Sequence, residues 1–407
     1  MRIAVFHHLR AGGAKRALYE SVKGLVARGH TVDAFTFETA DELFLPLAEV
    51  ASRVHVEPLA LPGPVQTRWL PGVIQYLNLG RRLEALSALE AAHARLAARI
   101  DAGGYDVAFV HHDHLIQSPY VLRQLSTPSV YYCQEPLRRY YERSFTEPPA
   151  PVGWKGRARA LWYGPIEPIF ERRHKSDDAA NAQAAGLILA NSAYSREAIA
   201  RAYGRYASVA PLGVDAERFR PMTLEKARAV VTVGRFQENK DQALVIEAAA
   251  RLPAGERPTV ILVGEATGTA QYRDHLVALA RERGVRIELL EHVSDEVLVA
   301  AYNRARFAVY TPVMEPFGFV PLEAGACGLP TVGVREGGVR ETVRHGETGF
   351  LAERTPEAVA EAMARLFQDE ALTARLGAAA REDVLAHWTW ARSAEAIEAH
   401  LGRIAGA

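Results

Sequence analysis

Two glutamates eight positions apart, Glu315 and Glu323, flank the loop-and-helix stretch EPFGFVPLE. The run Phe307 to Tyr310 reads as a strand that ends at Thr311-Pro312. A loop follows, and Pro321 is expected to open a short helix, Leu322 to Cys327, closed by Gly328. Proline suits the first helical position, where its missing N–H leaves nothing unsatisfied. The backbone N–H groups of Gly318, Phe319 and Val320 then gather at a helix N-terminus, which favours an anion. A carboxylate repels phosphate, so Glu315 needs a different partner; an ionised carboxylate only accepts hydrogen bonds, and sugar or ribose hydroxyls supply them. Glu323 in a first helical turn also has a plainer reading, as compensation for the helix dipole.

A second set follows the strand Val230 to Val233. Gly234 lets the backbone approach a ligand, and Arg235 and Lys240 supply cations. The chain has 42 Arg and only 6 Lys, so Lys240 is not its default cation. Brought beside Gly318 to Val320, this set would bind phosphate; left apart, it is a solvated helix start.

The elements that position these residues read as a repeated βα pattern. Arg2 to Phe6 is a strand, Ala14 to Arg28 a helix and Thr31 to Phe37 a strand, a parallel βαβ opening. Gly12-Gly13 sits at the first strand's end without the GxGxxG spacing, which disfavours a dehydrogenase-type dinucleotide site. Further strands are expected at Val54 to Pro58, Asp106 to Val110, Ser129 to Cys133 and Leu187 to Ala190. The pattern restarts at Val230, with strands at Thr259 to Val263, Arg286 to Leu290, Phe307 to Tyr310 and Thr331 to Val334, and helices from Thr355 broken near Trp388. The fold class is α/β: two Rossmann-like domains facing a cleft, residues 1–210 and 229–387, joined by a linker at 211–228. A last helix, 388–407, is expected to pack back on the first domain.

Composition is that of an ordinary globular protein of 407 residues. Lys+Arg and Asp+Glu are 48 each, so the chain as a whole does not favour nucleic acid. Residues 1–175 carry 22 basic against 17 acidic side chains, and the remainder 26 against 31. The two cysteines, Cys133 and Cys327, lie in apolar surroundings and fit a reducing, cytoplasmic setting. The opening MRIAVFHHLRAGG does not read as a signal peptide, and no apolar run reaches membrane-spanning length. Nine basic residues and several aromatics between Arg138 and Lys175 could meet an anionic membrane surface from the cytoplasmic side; the plainer reading is a domain edge.

Taken together, GRFQENKD, the two spaced glutamates, the run GLPTVGVREGGVRETVRHGETGFL and the early GGA resemble family-four retaining glycosyltransferases. The resemblance is strong over 185–390 and weaker before. It implies the GT-B fold, a nucleotide diphosphate sugar as donor, and a glycan or lipid-linked acceptor. By the same resemblance Arg235 and Lys240 meet the donor pyrophosphate, Glu315 the sugar and Glu323 the ribose. Phe319 and Val320 offer N–H groups, Val293 lines the base pocket, and Gly13 lies on the loop nearing phosphates or acceptor. One departure stands out. Many members carry a histidine where this chain has Gln134, which can hydrogen-bond a sugar but cannot act as a base. His111, at the neighbouring strand's end, could compensate.

His111-His112-Asp113-His114 also suggests a metal cluster, with His112 and His114 sharing one face of an extended backbone. No partner ligands accompany them and the sequence has no Asp-x-Asp, so no metal is expected. The reading is a metal-independent, retaining hexosyltransferase with no cofactor beyond its nucleotide-sugar substrate. Its rivals are an epimerase or phosphorylase on the same fold, and a non-catalytic nucleotide-sugar or polysaccharide binder. The scarcity of lysine in the second domain, only Lys226 and Lys240, argues against a pyridoxal phosphate phosphorylase.

Overall fold

A computed structural model describes residues 1–65, 71–142, 167–265 and 270–406. The basic, aromatic stretch from Arg138 to Lys175 therefore falls mostly outside the described residues. The chain forms two compact units: Met1–Asn191 with Ser195–Ala210 and Ala394–Ala407, and Ser192–Tyr194 with Pro211–Ser393. The final helix, Trp390–Ala405, thus contributes most of its length to the first unit. No helix among the described residues is long and apolar enough to cross a membrane.

In the first unit the strands are β1 (Arg2–His8), β2 (Thr31–Phe37), β3 (Arg53–Glu57), β4 (Val107–Asp113), β5 (Ser129–Tyr132), β6 (Leu187–Ala190) and β7 (Ser208–Val209). They form one sheet in the order β3-β2-β1-β4-β5-β6-β7, parallel throughout. Ile3, Ala4, Val5 and Phe6 are all fully buried, as strands covered by helices on both faces require. β4 runs three residues past the expected Val110. Its apolar run ends there, but backbone pairing with β1 continues to His8 opposite Asp113.

In the second unit β8 (Ala229–Val233), β9 (Thr259–Gly264), β10 (Ile287–Glu291), β11 (Phe307–Tyr310), β12 (Thr331–Val334) and β13 (Gly349–Ala352) follow. Their order is β10-β9-β8-β11-β12-β13, again parallel. β13 was not expected: it holds only four residues and starts on glycine. That glycine is a steric need, because a Cβ on Gly349 would lie 2.1 Å from the Thr331 carbonyl oxygen of the neighbouring strand.

A polar network is sealed inside the first unit. Asp113, fully buried, accepts from His8 Nδ1 at 2.9 Å, from His93 Nε2 at 3.1 Å and from the Leu115 N–H at 2.6 Å. His93 belongs to the long helix Pro71–Ala102, so the network pins that helix to the β1–β4 pair. Burial penalises Asp113, but the bonds from His8 and His93 outweigh it and hold its carboxyl well below the usual range. Burial also holds several imidazoles neutral: His7 and His112 are each lowered to about 4, and His93 and His111 are lowered too.

These imidazoles fix the sign of the acid response. Each folded pKa lies below that of the unfolded chain, about 6.5. Their contribution is complete above that value, and it is lost as pH falls toward about 4, because the unfolded chain takes up protons first. The thermal midpoint is expected to be lower at pH 5 than at pH 7. A loss of about 1 kcal/mol would lower it by about 2–4 °C. An equal or higher midpoint at pH 5 contradicts the assignment.

Candidate functional site

Strand order in the second unit reverses between β8 and β11, the place where open parallel sheets take ligands beyond their carboxyl ends. The two loops leaving those strands carry the residues singled out from the sequence. Lys240 Nζ donates to Glu315 Oε2 at 2.8 Å, joining the loops; the side chains are 23% and 20% exposed. Arg235 is exposed and forms no ion pair among the described residues. Gly234 and Arg235 are held through their carbonyl oxygens, which accept from the buried Gln242 amide at 3.1 and 3.0 Å. Close approach extends to the next strand, where a Cβ on Gly264 would meet the Gly234 carbonyl oxygen at 2.1 Å.

The helix after β11 starts earlier than expected. It spans Phe319–Ala326, with Gly318 (φ 95°) at its N-cap, so Pro321 is the third helical residue rather than the first. Proline is tolerated there because first-turn N–H groups have no partner within the helix. Phe319 and Val320 do present first-turn N–H groups, and Gly318 supplies the left-handed turn that precedes them. Glu323 moves correspondingly into the second turn, away from the dipole-compensating position. Its Oε2 accepts from the buried Tyr302 hydroxyl at 2.7 Å. Tyr310 ends β11 within the electrostatic reach of both glutamates. Burial first, then the charges of Glu315 and Glu323, push its hydroxyl well above its usual range. Val293 follows β10 and is half-buried; Ser294 beside it caps the helix Asp295–Arg304, its hydroxyl accepting from the Val297 N–H.

Two parts of this site escaped the sequence reading. Arg354 uses all five guanidinium donors. Nε and Nη2 bind the two Glu336 oxygens at 2.9 and 2.7 Å; Nη1 reaches Asp241 Oδ2 and the Thr311 carbonyl, both at 2.7 Å; Nη2 also reaches the Pro312 carbonyl at 2.8 Å. One side chain thus ties Asp241, next to Lys240, to the start of the Glu315 loop. Nothing in the spacing around Arg354 signals this. The second part is Gly337-Gly338, visible in the sequence as a glycine pair after a strand. The Gly338 N–H donates to the Glu315 carbonyl at 2.7 Å, and a Cβ on Gly337 (φ 54°) would lie 2.3 Å from that same oxygen.

The first unit reverses its strand order between β1 and β4. Gly12 (φ 145°) ends the loop after β1 and Gly13 opens the helix Gly13–Ala27. Lys15, on that helix and fully buried, is paired with Glu42. His7 Nε2 lies 3.0 Å from the same Glu42 oxygen. Burial pushes the Glu42 carboxyl up, but its contacts with His7 and Lys15 dominate and bring it down to about 2. Lys15 and Glu42 were missed because a helix lysine and a loop glutamate carry no local pattern. His111 is fully buried, edge-on to Phe109 and Tyr132 with ring centroids 4.6 and 5.5 Å away. Gln134 is buried; its backbone carbonyl accepts from the Ser195 hydroxyl at 2.8 Å.

The expected pairing of His112 with His114 is not what the backbone produces. The groups that converge are His8, Asp113 and His114, because β4 pairs with β1 as far as Asp113. Several of their atoms already hold hydrogen bonds: His8 Nδ1 with Asp113, His8 Nε2 with Thr39 Oγ1 at 2.8 Å, and His114 Nδ1 with the His8 carbonyl at 3.0 Å.

Similarity to known proteins covers both units. The sequence profile described as Glycosyltransferase Family 4 matches residues 11–218, and that described as Glycosyl transferases group 1 matches 214–383. A D-inositol 3-phosphate glycosyltransferase of Geodermatophilus obscurus is 30% identical, the match covering 96% of this chain and 84% of the relative. A GDP-mannose-dependent alpha-(1-6)-phosphatidylinositol monomannoside mannosyltransferase of Mycobacterium tuberculosis is 32% identical over 49% of this chain and 57% of its own length. Among solved structures, Anabaena Alr3699/HepE in complex with UDP superposes with a TM-score of 0.74 at 19% identity, covering 99% of each chain. WaaG, a glycosyltransferase involved in lipopolysaccharide biosynthesis, gives 0.64 at 17% identity over the full length of both. These likenesses assign the GT-B fold.

Arg354 offers a test of how the second-unit loops are held. Lysine keeps the charge but cannot make the planar five-donor fork. Arg354→Lys is expected to lower unfolding free energy by about 1.5–3 kcal/mol, the scale of hydrogen bonds to charged groups. Denaturant titration reads the change, and a variant of wild-type stability would show that the fork does not anchor the loops.

Proposed function

The chain belongs to glycosyltransferase family 4, and from that membership we propose a retaining, metal-independent enzyme that moves a hexose from a nucleotide diphosphate sugar to an acceptor hydroxyl. The observation that carries the reading is the meeting of Lys240 and Glu315 at the β8–β11 switch point, beside the Phe319 helix N-terminus. Cation, carboxylate and free N–H groups are the parts that a diphosphate joined to a sugar requires. The UDP bound in the HepE structure and the GDP-mannose in the mycobacterial relative's name support a nucleotide-sugar donor. The names of the relatives support a glycan, cyclitol or lipid-linked acceptor.

In this proposal Arg235, Lys240 and the N–H groups of Phe319 and Val320 stabilise the diphosphate as its charge develops. Glu315 accepts from sugar hydroxyls and Glu323 from the ribose, while Gly234 and Gly318 let the backbone come close. Val293 borders the base, and Gly13, at the start of the helix after β1, is assigned to the donor phosphates or the acceptor. The acceptor oxygen attacks the anomeric carbon on the face that the diphosphate leaves, and its proton passes to the departing phosphate oxygen. Gln134 cannot accept that proton, and no carboxylate in the set is needed as a covalent nucleophile. His111 is assigned to ligand contact. Cationic side chains and N–H groups supply the charge stabilisation that a metal supplies elsewhere.

Two substitutions separate binding from turnover. Lys240→Ala is expected to weaken nucleoside diphosphate binding by about 1.5–3 kcal/mol. Glu315→Gln should leave that affinity nearly intact and lower kcat about a hundredfold. Calorimetry against UDP, GDP and ADP, with initial rates on the matching sugar donors, gives both readings, and adding EDTA should not change the rate. Unchanged binding in Lys240→Ala, a wild-type rate in Glu315→Gln, or a rate lost to EDTA and restored by a divalent ion would each overturn the corresponding assignment.

A further inference from the structure

The histidine-rich end of β4 leads to a set of groups that the transferase reading leaves unused. His8, Asp113 and His114 each place one nitrogen or carboxylate oxygen within 4.8 Å of the others, and no other set of this kind occurs among the described residues. His8 and Asp113 face each other in the register of β1 and β4. Both are fully buried, whereas His114, in the turn after β4, is partly exposed.

The hydrogen bonds around the set are those that orient metal ligands. His8 Nδ1 and Asp113 Oδ2 are 2.9 Å apart. Two ligand atoms about 2.0–2.2 Å from a tetrahedral ion stand about 3.3 Å apart, so little movement turns a pair that shares a proton into one that shares an ion. The proton of the neutral His8 ring then sits on Nε2, where the Thr39 hydroxyl, 2.8 Å away, accepts it. His114 Nδ1 donates to the His8 carbonyl at 3.0 Å, which leaves the lone pair on its Nε2. Asp113 is held from behind by His93 Nε2 at 3.1 Å and the Leu115 N–H at 2.6 Å. Each ligand thus has a partner beyond it, the outer layer of bonds that fixes tautomer and orientation in metal centres. His93 itself stands outside the set, with its ring among Phe6, Phe37 and Tyr120. His114 and the exposed Thr39 border the route to solvent.

The donor atoms specify the ion. Two imidazoles with one carboxylate suit Zn²⁺, Co²⁺ or Ni²⁺, whereas Mg²⁺ and Ca²⁺ take oxygen ligands. Three protein ligands leave the fourth position of a tetrahedral ion to water. We propose that His8, Asp113 and His114 form a transition-metal site of the Zn²⁺ class in the first unit. The ion staples the ends of β1 and β4 and takes no part in transfer. None of the three residues is among those assigned to the diphosphate, so the site does not rest on the transferase reading.

Equilibrium dialysis of the full chain against Zn²⁺, with bound metal counted by atomic emission, tests the site without turnover. One equivalent per chain is expected, held about a hundredfold or more tighter than Mg²⁺. Co²⁺ in its place should show the visible absorption bands of an ion with nitrogen ligands. His114→Ala and His8→Gln should each weaken Zn²⁺ binding at least tenfold, while His275→Ala, at an exposed histidine of the second unit, should not. Zn²⁺ should raise the thermal midpoint of the wild-type chain and leave that of His114→Ala unchanged. The wild-type stoichiometry and the comparison with Mg²⁺ stand even where His8→Gln fails to fold. No retained Zn²⁺, equal affinity for Mg²⁺, or undiminished binding in His114→Ala overturns the proposal. Failure of the transferase reading would look different: nucleoside diphosphate affinity would not respond to Lys240→Ala.

Discussion

The ion pair between Lys240 and Glu315 is the contact on which the second unit's site depends. The residues are 75 positions apart, on loops that leave different strands. A half-exposed pair of this kind adds only about 0–1 kcal/mol of stability. Its value lies in geometry, because it sets a cation and a carboxylate side by side at the sheet's reversal. The surrounding chain is spent on holding that geometry. Arg354 ties the loop starts, Gln242 fixes the Gly234-Arg235 backbone, and Gly337-Gly338 lies against Glu315 where a side chain would not fit. Under the proposed function, a diphosphate entering beside Lys240 would compete with Glu315 for the ammonium, and a sugar hydroxyl would offer Glu315 the hydrogen bond it gives up.

The first unit uses the same sheet topology with different chemistry. At its strand ends charges are cancelled or buried: Lys15 against Glu42, and Asp113 between His8 and His93. Among the buried atoms left without a hydrogen-bond partner are both nitrogens of His111, the Gln134 amide nitrogen, the Asn191 amide oxygen and His112 Nδ1. One topology can therefore carry different side-chain chemistry at its strand ends in the two units.

Much of this was legible in the sequence because apolar runs and glycine positions act locally. The strands Thr31–Phe37, Leu187–Ala190, Phe307–Tyr310 and Thr331–Val334 have the bounds that their apolar runs suggest. The conjunction of Gly234, Lys240 and Glu315 was legible as well, since each follows a strand at a turn. Other features depend on tertiary pairing. β4 reaches Asp113 only because β1 continues beside it, and β13 exists because Gly349 fits against Thr331. The helix start at Phe319 was hidden by Pro321, which is equally acceptable at the first and third helical positions. Arg354, Lys15 and Glu42 carry no local signature; their roles come from partners far away in the chain.

The stereochemistry of transfer distinguishes same-face attack from inversion. In the proposed function Arg235 and Lys240 stabilise the leaving diphosphate, and Gln134 cannot serve as a base. Under the proposed mechanism, attack on the leaving-group face would convert an α-linked donor into an α-linked product. The coupling constant of the anomeric proton in the product, measured by NMR with a UDP-, GDP- or ADP-α-hexose that the enzyme accepts, decides the matter. A retaining transfer gives the α value, and a β-linked product would contradict it.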